Sequence, residues 1–215
     1  AVVERATEVY AQPRAVGFDH DAMRLFQRIG AADALAPHVT DFRNTVYRGV
    51  DCQVIQRVRR VEPPYPYTWA PNLTCDQPGV EAVLRDAVAA MPSVHFGLGI
   101  ELQSLQPRDD GVALQLRSAD GQALRCDARW VVGCDGASST VRRLTGLTLH
   151  SHDYDEPWIV VDLKVGDAAL ARLPDGNVQY CEPERPCTYI VCPGNHRRWE
   201  FMLMPGEPRE GALEP

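Results

Sequence analysis

An α/β fold, α+β when the whole chain is counted, is predicted for this 215-residue chain by three observations. Two segments carry apolar residues at helical spacing among strand-like runs. A loop of small residues around Asp135-Gly136 leads from a strand into a helix. Beyond Ser151 the pattern changes to strands alone, which marks a second region of mostly antiparallel sheet.

The elements follow in order. Ala1-Val2-Val3-Glu4 is a β-branched apolar run closing on an acid, and a strand that begins at residue 1 predicts that further chain precedes it. Over 19–34 the residues Ala22, Met23, Leu25, Phe26 and Ile29 recur at helical spacing, with Gly30 as a stop. Between 42 and 61, Phe42, Val46, Val50, Val54, Ile55 and Val58 suggest two strands turning near Gly49, and Pro63-Pro64-Tyr65-Pro66 is a loop. A second helix is expected over 78–90, with Pro78 in its first turn and Val80, Val83, Leu84, Ala87 and Val88 as its buried stripe. Strands follow over 94–98, 101–106 and 112–116. Asp120-Gly121 then signals a hairpin into a strand that rises to Trp130-Val131-Val132-Gly133. A helix begins near Thr140, and strands are expected over 158–165, 177–181, 188–192 and 198–204. Trp69, Trp130, Trp158 and Trp199, each beside an apolar run, are expected to be packing groups.

Composition narrows the function classes. A 45% hydrophobic content supports a real core, and 22 basic against 29 acidic residues, with no basic stripe, argue against nucleic acid. No apolar run approaches the roughly 20 residues that cross a bilayer, and the first residues lack the order of a signal peptide, so a cytoplasmic protein is expected. The seven cysteines are odd in number and form no CxxC pair, which favours reduced thiols over a disulfide framework. The spacing of Cys181, Cys187 and Cys192 is loose for zinc, and His150, His152, Asp153 and Asp155 suit a polar loop, so no metal is expected.

Two places carry chemistry. Glu4, at the end of an apolar strand, stands where a dinucleotide-binding unit puts an acid for ribose hydroxyls, although surface strands often end this way. The loop 133–139 allows close backbone approach, and the helix after it could turn its amino end to phosphate, with Asp135 taking a hydroxyl or a water. A plain turn with Ser138 or Ser139 capping the helix explains the same residues.

The run Gly133-Cys134-Asp135-Gly136-Ala137-Ser138-Ser139-Thr140-Val141-Arg142 resembles the Asp-Gly motif of the single-component flavoprotein aromatic hydroxylases, the para-hydroxybenzoate hydroxylase group. Val2-Val3-Glu4-Arg5, Pro13-Arg14-Ala15-Val16-Gly17 and Asp76-Gln77-Pro78 agree in order and spacing. Within that group, the segments 14–30, 158–162 and 197–207 resemble the 3-(3-hydroxyphenyl)propionate hydroxylases. The resemblance implies a Rossmann-like FAD-binding domain over 1–41 and 71–152, interleaved with a substrate-binding sheet domain over 42–70 and 153–215. It implies FAD as cofactor, with NAD(P)H, O2 and a small phenolic acid such as 3-(3-hydroxyphenyl)propionate as reactants; a homo-oligomer is compatible with it. Glu4 and Arg5 then meet the adenosine ribose. Gln12, Arg14 and Ala15 flank pyrophosphate and ribityl, and Gln77 lies near the flavin chain. Asp135 and Gly136 serve the pyrophosphate and nicotinamide nucleotide, and Arg198 the substrate; a plain basic pair with Arg197 is the competing reading. No general base is assigned. The GxGxxG turn and the later Gly-Asp motif of the group are expected before Ala1 and after Pro215, so these residues alone are expected to be inactive. A flavin monooxygenase of polycyclic substrates, or a non-catalytic remnant that binds no FAD, are the alternatives.

Overall fold

The computed structural model describes residues 1–210. Its strands are β1 (Val2–Glu4), β2 (Gly17–Asp19), β3 (Val39–Asp41), β4 (Thr45–Arg48), β5 (Val54–Val58), β6 (Asn72–Cys75), β7 (Phe96–Leu98), β8 (Ile100–Arg108), β9 (Gly111–Ser118), β10 (Ala123–Ala128), β11 (Trp158–Lys164), β12 (Asn177–Tyr180), β13 (Cys187–Val191) and β14 (His196–Met202). The helices are α1 (His20–Arg28), α2 (Ala32–Leu35), α3 (Gln77–Ala89), α4 (Thr140–Leu144) and α5 (Asp167–Leu170). None is long and apolar enough to cross a membrane.

The chain divides into two compact units, 1–10 with 86–154, and 11–85 with 155–215. Residues 11–41 and 71–85, assigned from the sequence to the cofactor domain, thus fall with the large sheet, and the boundary lies within α3. Residues 211–215, the end of the expected second domain, lie outside the described residues.

In the first unit, β1 runs parallel to β7, with Val3 opposite Gly97, and β8, β9 and β10 form an antiparallel meander. The β9–β10 hairpin turns at Gly121, where Ser118 Oγ accepts from the Gln122 amide at 3.1 Å. Leu116 on β9 is buried. The strand expected to continue to Gly133 stops at Ala128, because among the described residues 129–133 have no neighbouring strand to take their N–H and C=O groups. Trp130 and Val132 are consequently 81% and 82% exposed, and Trp130 is not the packing group expected of it.

In the second unit, a six-stranded sheet has the order β11-β14-β13-β12-β4-β5, antiparallel except where β12 meets β4. Tyr189, Val178 and Val191 form its core, and the Trp199 ring lies 5.1 Å from that of Tyr189. A second, three-stranded sheet, β2-β6-β3, escaped the sequence reading because strands of three or four residues carry no readable alternation. Gly17 allows it: a Cβ there would stand 2.7 Å from the Leu73 carbonyl oxygen on β6.

The helix expected over 19–34 is two helices. Asp19 caps α1, its Oδ1 accepting from the Ala22 amide at 3.0 Å. The chain turns through Gly30 into α2. Met23 and Leu35 are completely buried, whereas Leu25 and Ile29 of the expected stripe are 59% and 62% exposed. The buried face is therefore narrower than the periodicity suggests. Met23 packs with Ala32, Ala70 and Leu73 against Trp69, and Leu35 with Cys75 and Val80 against Val83 and Leu84 of α3.

Candidate cofactor and substrate site

The six-stranded sheet builds an ionic cluster from a two-residue period. His196 and Arg198 sit two apart on β14 and so share a face, and Asp162 on β11 is directly opposite Arg198. Asp162 therefore receives both. Its Oδ1 accepts from Arg198 Nε at 2.9 Å and its Oδ2 from Arg198 Nη2 at 2.8 Å, a two-point contact, while His196 Nε2 lies 2.5 Å from Oδ1. Burial, the largest single influence, pushes the Asp162 carboxyl up, but the hydrogen bonds from Arg198 and His196 and the charge of Arg198 outweigh it, so it titrates below the usual carboxylate range. His196 and Arg198 are buried, and Arg198 is only 2% exposed.

The remaining donors of Arg198 go to backbone. Nη2 donates to the Pro13 carbonyl and Nη1 to the Arg14 carbonyl at 3.4 Å, with Glu200 Oε1 3.7 Å from Nη1. Four of the five guanidinium N–H groups are thus engaged by protein. Arg198, expected to meet a substrate, is placed inside the fold on the backbone of Pro13 and Arg14.

Gln77 holds the same segment from the other side. As the first residue of α3, it uses its Oε1 to accept from the Arg14 amide at 2.6 Å and the Ala15 amide at 2.9 Å. Its side-chain NH2 group has no partner among the described residues. Pro13, Arg14 and Ala15 are therefore pinned at two carbonyls by Arg198 and at two amides by Gln77, although loops of this kind are usually mobile. Gln12, Arg14 and Ala15 are themselves exposed. Sequence reasoning named Arg14, Gln77 and Arg198 separately; it missed Asp162 and His196, whose only signal was their place in register on adjacent strands.

Glu4, Arg5, Asp135 and Gly136 lie in the first unit. Glu4 closes β1 at the carboxyl end of a parallel pair, and its Oε1 accepts from the Ala6 amide at 2.8 Å. An open cleft of about 510 Å³ has Arg5, Glu101 and Arg117 on its walls, the last two not singled out from the sequence. Asp135 is committed to local structure. Its Oδ1 accepts from Ser139 Oγ at 2.5 Å and its Oδ2 from the Val141 amide at 3.0 Å, and these two bonds, Ser139 first, lower its titration. Ser139 in turn caps α4 through the Arg142 amide at 3.0 Å. Gly136 takes a φ of 79°, the left-handed region that favours glycine. The capping explanation of this loop therefore holds in full, and α4 has only five residues.

Each unit by itself offers groups that suit part of a flavin dinucleotide: the first an acid at a strand end for a ribose diol, the second a tightly held, exposed backbone segment beside the Gln77 amide. The chain is 37% identical over 217 residues to a 3-(3-hydroxy-phenyl)propionate/3-hydroxycinnamic acid hydroxylase of Burkholderia cenocepacia, and 31% identical over 214 residues to the protein of that name from Escherichia coli K12. Each alignment covers all of this chain and 38% of the relative, so the chain spans well under half of the proteins it matches. Its fold is similar to that of p-nitrophenol 4-monooxygenase from Pseudomonas putida, with a TM-score of 0.81 and 20% identity over 97% of this chain and 52% of that one. The family described as FAD binding domain matches residues 1–214, and the chain belongs to it.

Proposed function

We propose that the protein to which these residues belong is an FAD-dependent monooxygenase that hydroxylates a phenolic aromatic acid, of the 3-(3-hydroxyphenyl)propionate type, with NAD(P)H and O2. The observation that carries this reading is the Pro13–Ala15 backbone, fixed through four of its polar groups by Gln77 and Arg198 in a chain whose relatives bear the hydroxylase name.

When bound, FAD supplies the redox and oxygen chemistry, and the protein's part is binding, orientation and electrostatics. Glu4 accepts from the adenosine ribose, with Arg5 beside it. Gln12, Arg14 and Ala15 present backbone and a cation to pyrophosphate and ribityl, and Gln77 turns its NH2 group to the same chain. Asp135 holds its loop in shape so that Gly136 brings backbone close to the dinucleotide. The reaction needs no metal from these residues, and no side chain among those described is assigned as general base.

The test is an absorbance spectrum of the purified parent protein, followed by NAD(P)H oxidation on addition of 3-(3-hydroxyphenyl)propionate. A flavin spectrum and a product heavier by one oxygen atom are expected. A colourless parent that also ignores added FAD would refute the reading.

A further inference from the structure

Asp162 lies on an interior face of the large sheet, and nothing in the proposed chemistry calls for it. We propose that Asp162 is a positioning residue for the cofactor: held by His196, it aims Arg198 so that the guanidinium clamps the Pro13 and Arg14 carbonyls, and the cofactor segment is set by a side chain that never touches the ligand. The proposal rests on the reading that this segment borders FAD.

The geometry leaves little freedom. A guanidinium is planar, so once Nε and Nη2 are both fixed on one carboxylate, at 2.9 and 2.8 Å, the direction of the remaining Nη donors is fixed as well. Those donors point at Pro13 and Arg14. The carboxylate cannot swing, because its Oδ1 also meets His196, itself 4% exposed. The alignment therefore runs from His196 through Asp162 and Arg198 to the backbone 13–14, with Gln77 closing the other side at Arg14 and Ala15. Lysine in place of Arg198 would keep the charge and lose the alignment, since an ammonium group has no fixed plane. Asparagine in place of Asp162 would keep the shape and lose the charged two-point acceptor.

The experiment uses the complete parent protein and compares wild type, Asp162→Asn, Arg198→Lys and the double variant. FAD affinity is read by flavin fluorescence, and hydrogen exchange is followed in the peptide that contains residues 12–17. Asp162→Asn is expected to bind FAD about tenfold more weakly, the size of effect that groups supporting a binding shell produce, with faster exchange at 12–17. The double variant should be no worse than Arg198→Lys alone, since both act along one line. An unchanged affinity in Asp162→Asn overturns the proposal, as does a weaker affinity with unchanged exchange at 12–17, and so does a double variant whose losses simply multiply. If Asp162→Asn does not accumulate as folded protein, Arg198→Lys carries the same expectations and the same refutations. A wild-type parent without FAD would instead overturn the functional reading itself, whereas normal FAD in the wild type and in the variants overturns only the role of Asp162.

Discussion

Replacing Arg198 by methionine removes the guanidinium and keeps most of the side chain's bulk, so the loss is electrostatic rather than a cavity. In the wild-type fold that group is 2% exposed and makes two bonds to Asp162 and two to backbone carbonyls. Its removal leaves the Asp162 carboxylate with only His196 as partner, and leaves the Pro13 and Arg14 carbonyls without their donor. Breaking a buried pair by deleting one member costs about 3–5 kcal/mol, and the lower end applies here because the Asp162 side chain keeps 22% exposure. For an unfolding unit of this size, that lowers Tm by roughly 6–12 °C. Thermal unfolding of the parent protein, followed by circular dichroism at pH 7, measures it. The pH dependence has a definite sign. The folded pKa of Asp162 is depressed, so its contribution is present above the unfolded value of about 3.9 and lost as pH falls through the lower folded value. The gap between wild type and Arg198→Met should thus close as the pH falls below about 4. A double variant with Asp162→Leu should be more stable than the sum of the single losses implies, by at least about 1 kcal/mol. A Tm within 2 °C of wild type for Arg198→Met, or strict additivity, would refute the description of this cluster as a coupled ionic network.

Further predictions concern other parts of the chain. Burial pushes the thiols of Cys75 and Cys192 up to about 11 and about 12, so mass mapping after iodoacetamide treatment at pH 8 should find both unmodified while the exposed Cys52, Cys134 and Cys181 react. Gly17→Ala places a methyl against the Leu73 carbonyl and should cost about 1–3 kcal/mol in denaturant titration, since strand backbone has to move. Leu35→Ala empties a fully buried site between α2 and α3 and should cost about 2–5 kcal/mol by the same assay. Glu207, hydrogen-bonded first by Arg185 and then by the Met204 amide, should titrate at about 2 by NMR and return toward the ordinary value in Arg185→Gln.

What could be read in advance divides along a physical line. The second helix, with Val80, Val83 and Leu84 turned inward, the hairpin at Gly121 and the last four strands were legible because each is specified within a window of about ten residues. The strand expected through Trp130 to Gly133 had every local mark of one and is not one, because a strand exists only with a neighbour to bond to. The first helix does end beside Gly30, the stop named from the sequence, whereas α2 beyond it has only four residues, too few to show a period of its own. At the site, Gln77, Arg14 and Arg198 could be singled out by likeness, but not that Arg198 and Gln77 grip one stretch of backbone from opposite sides. That fact depends on register, since Asp162 meets Arg198 only because β11 and β14 pair as they do. A slip of β11 by one residue would turn Asp162 to the other face of the sheet and leave the Arg198 guanidinium without the carboxylate that aims it. The residues that grip this backbone segment can therefore be guessed singly from a sequence, whereas the carboxylate that holds Arg198 becomes visible only when the pairing of strands is known.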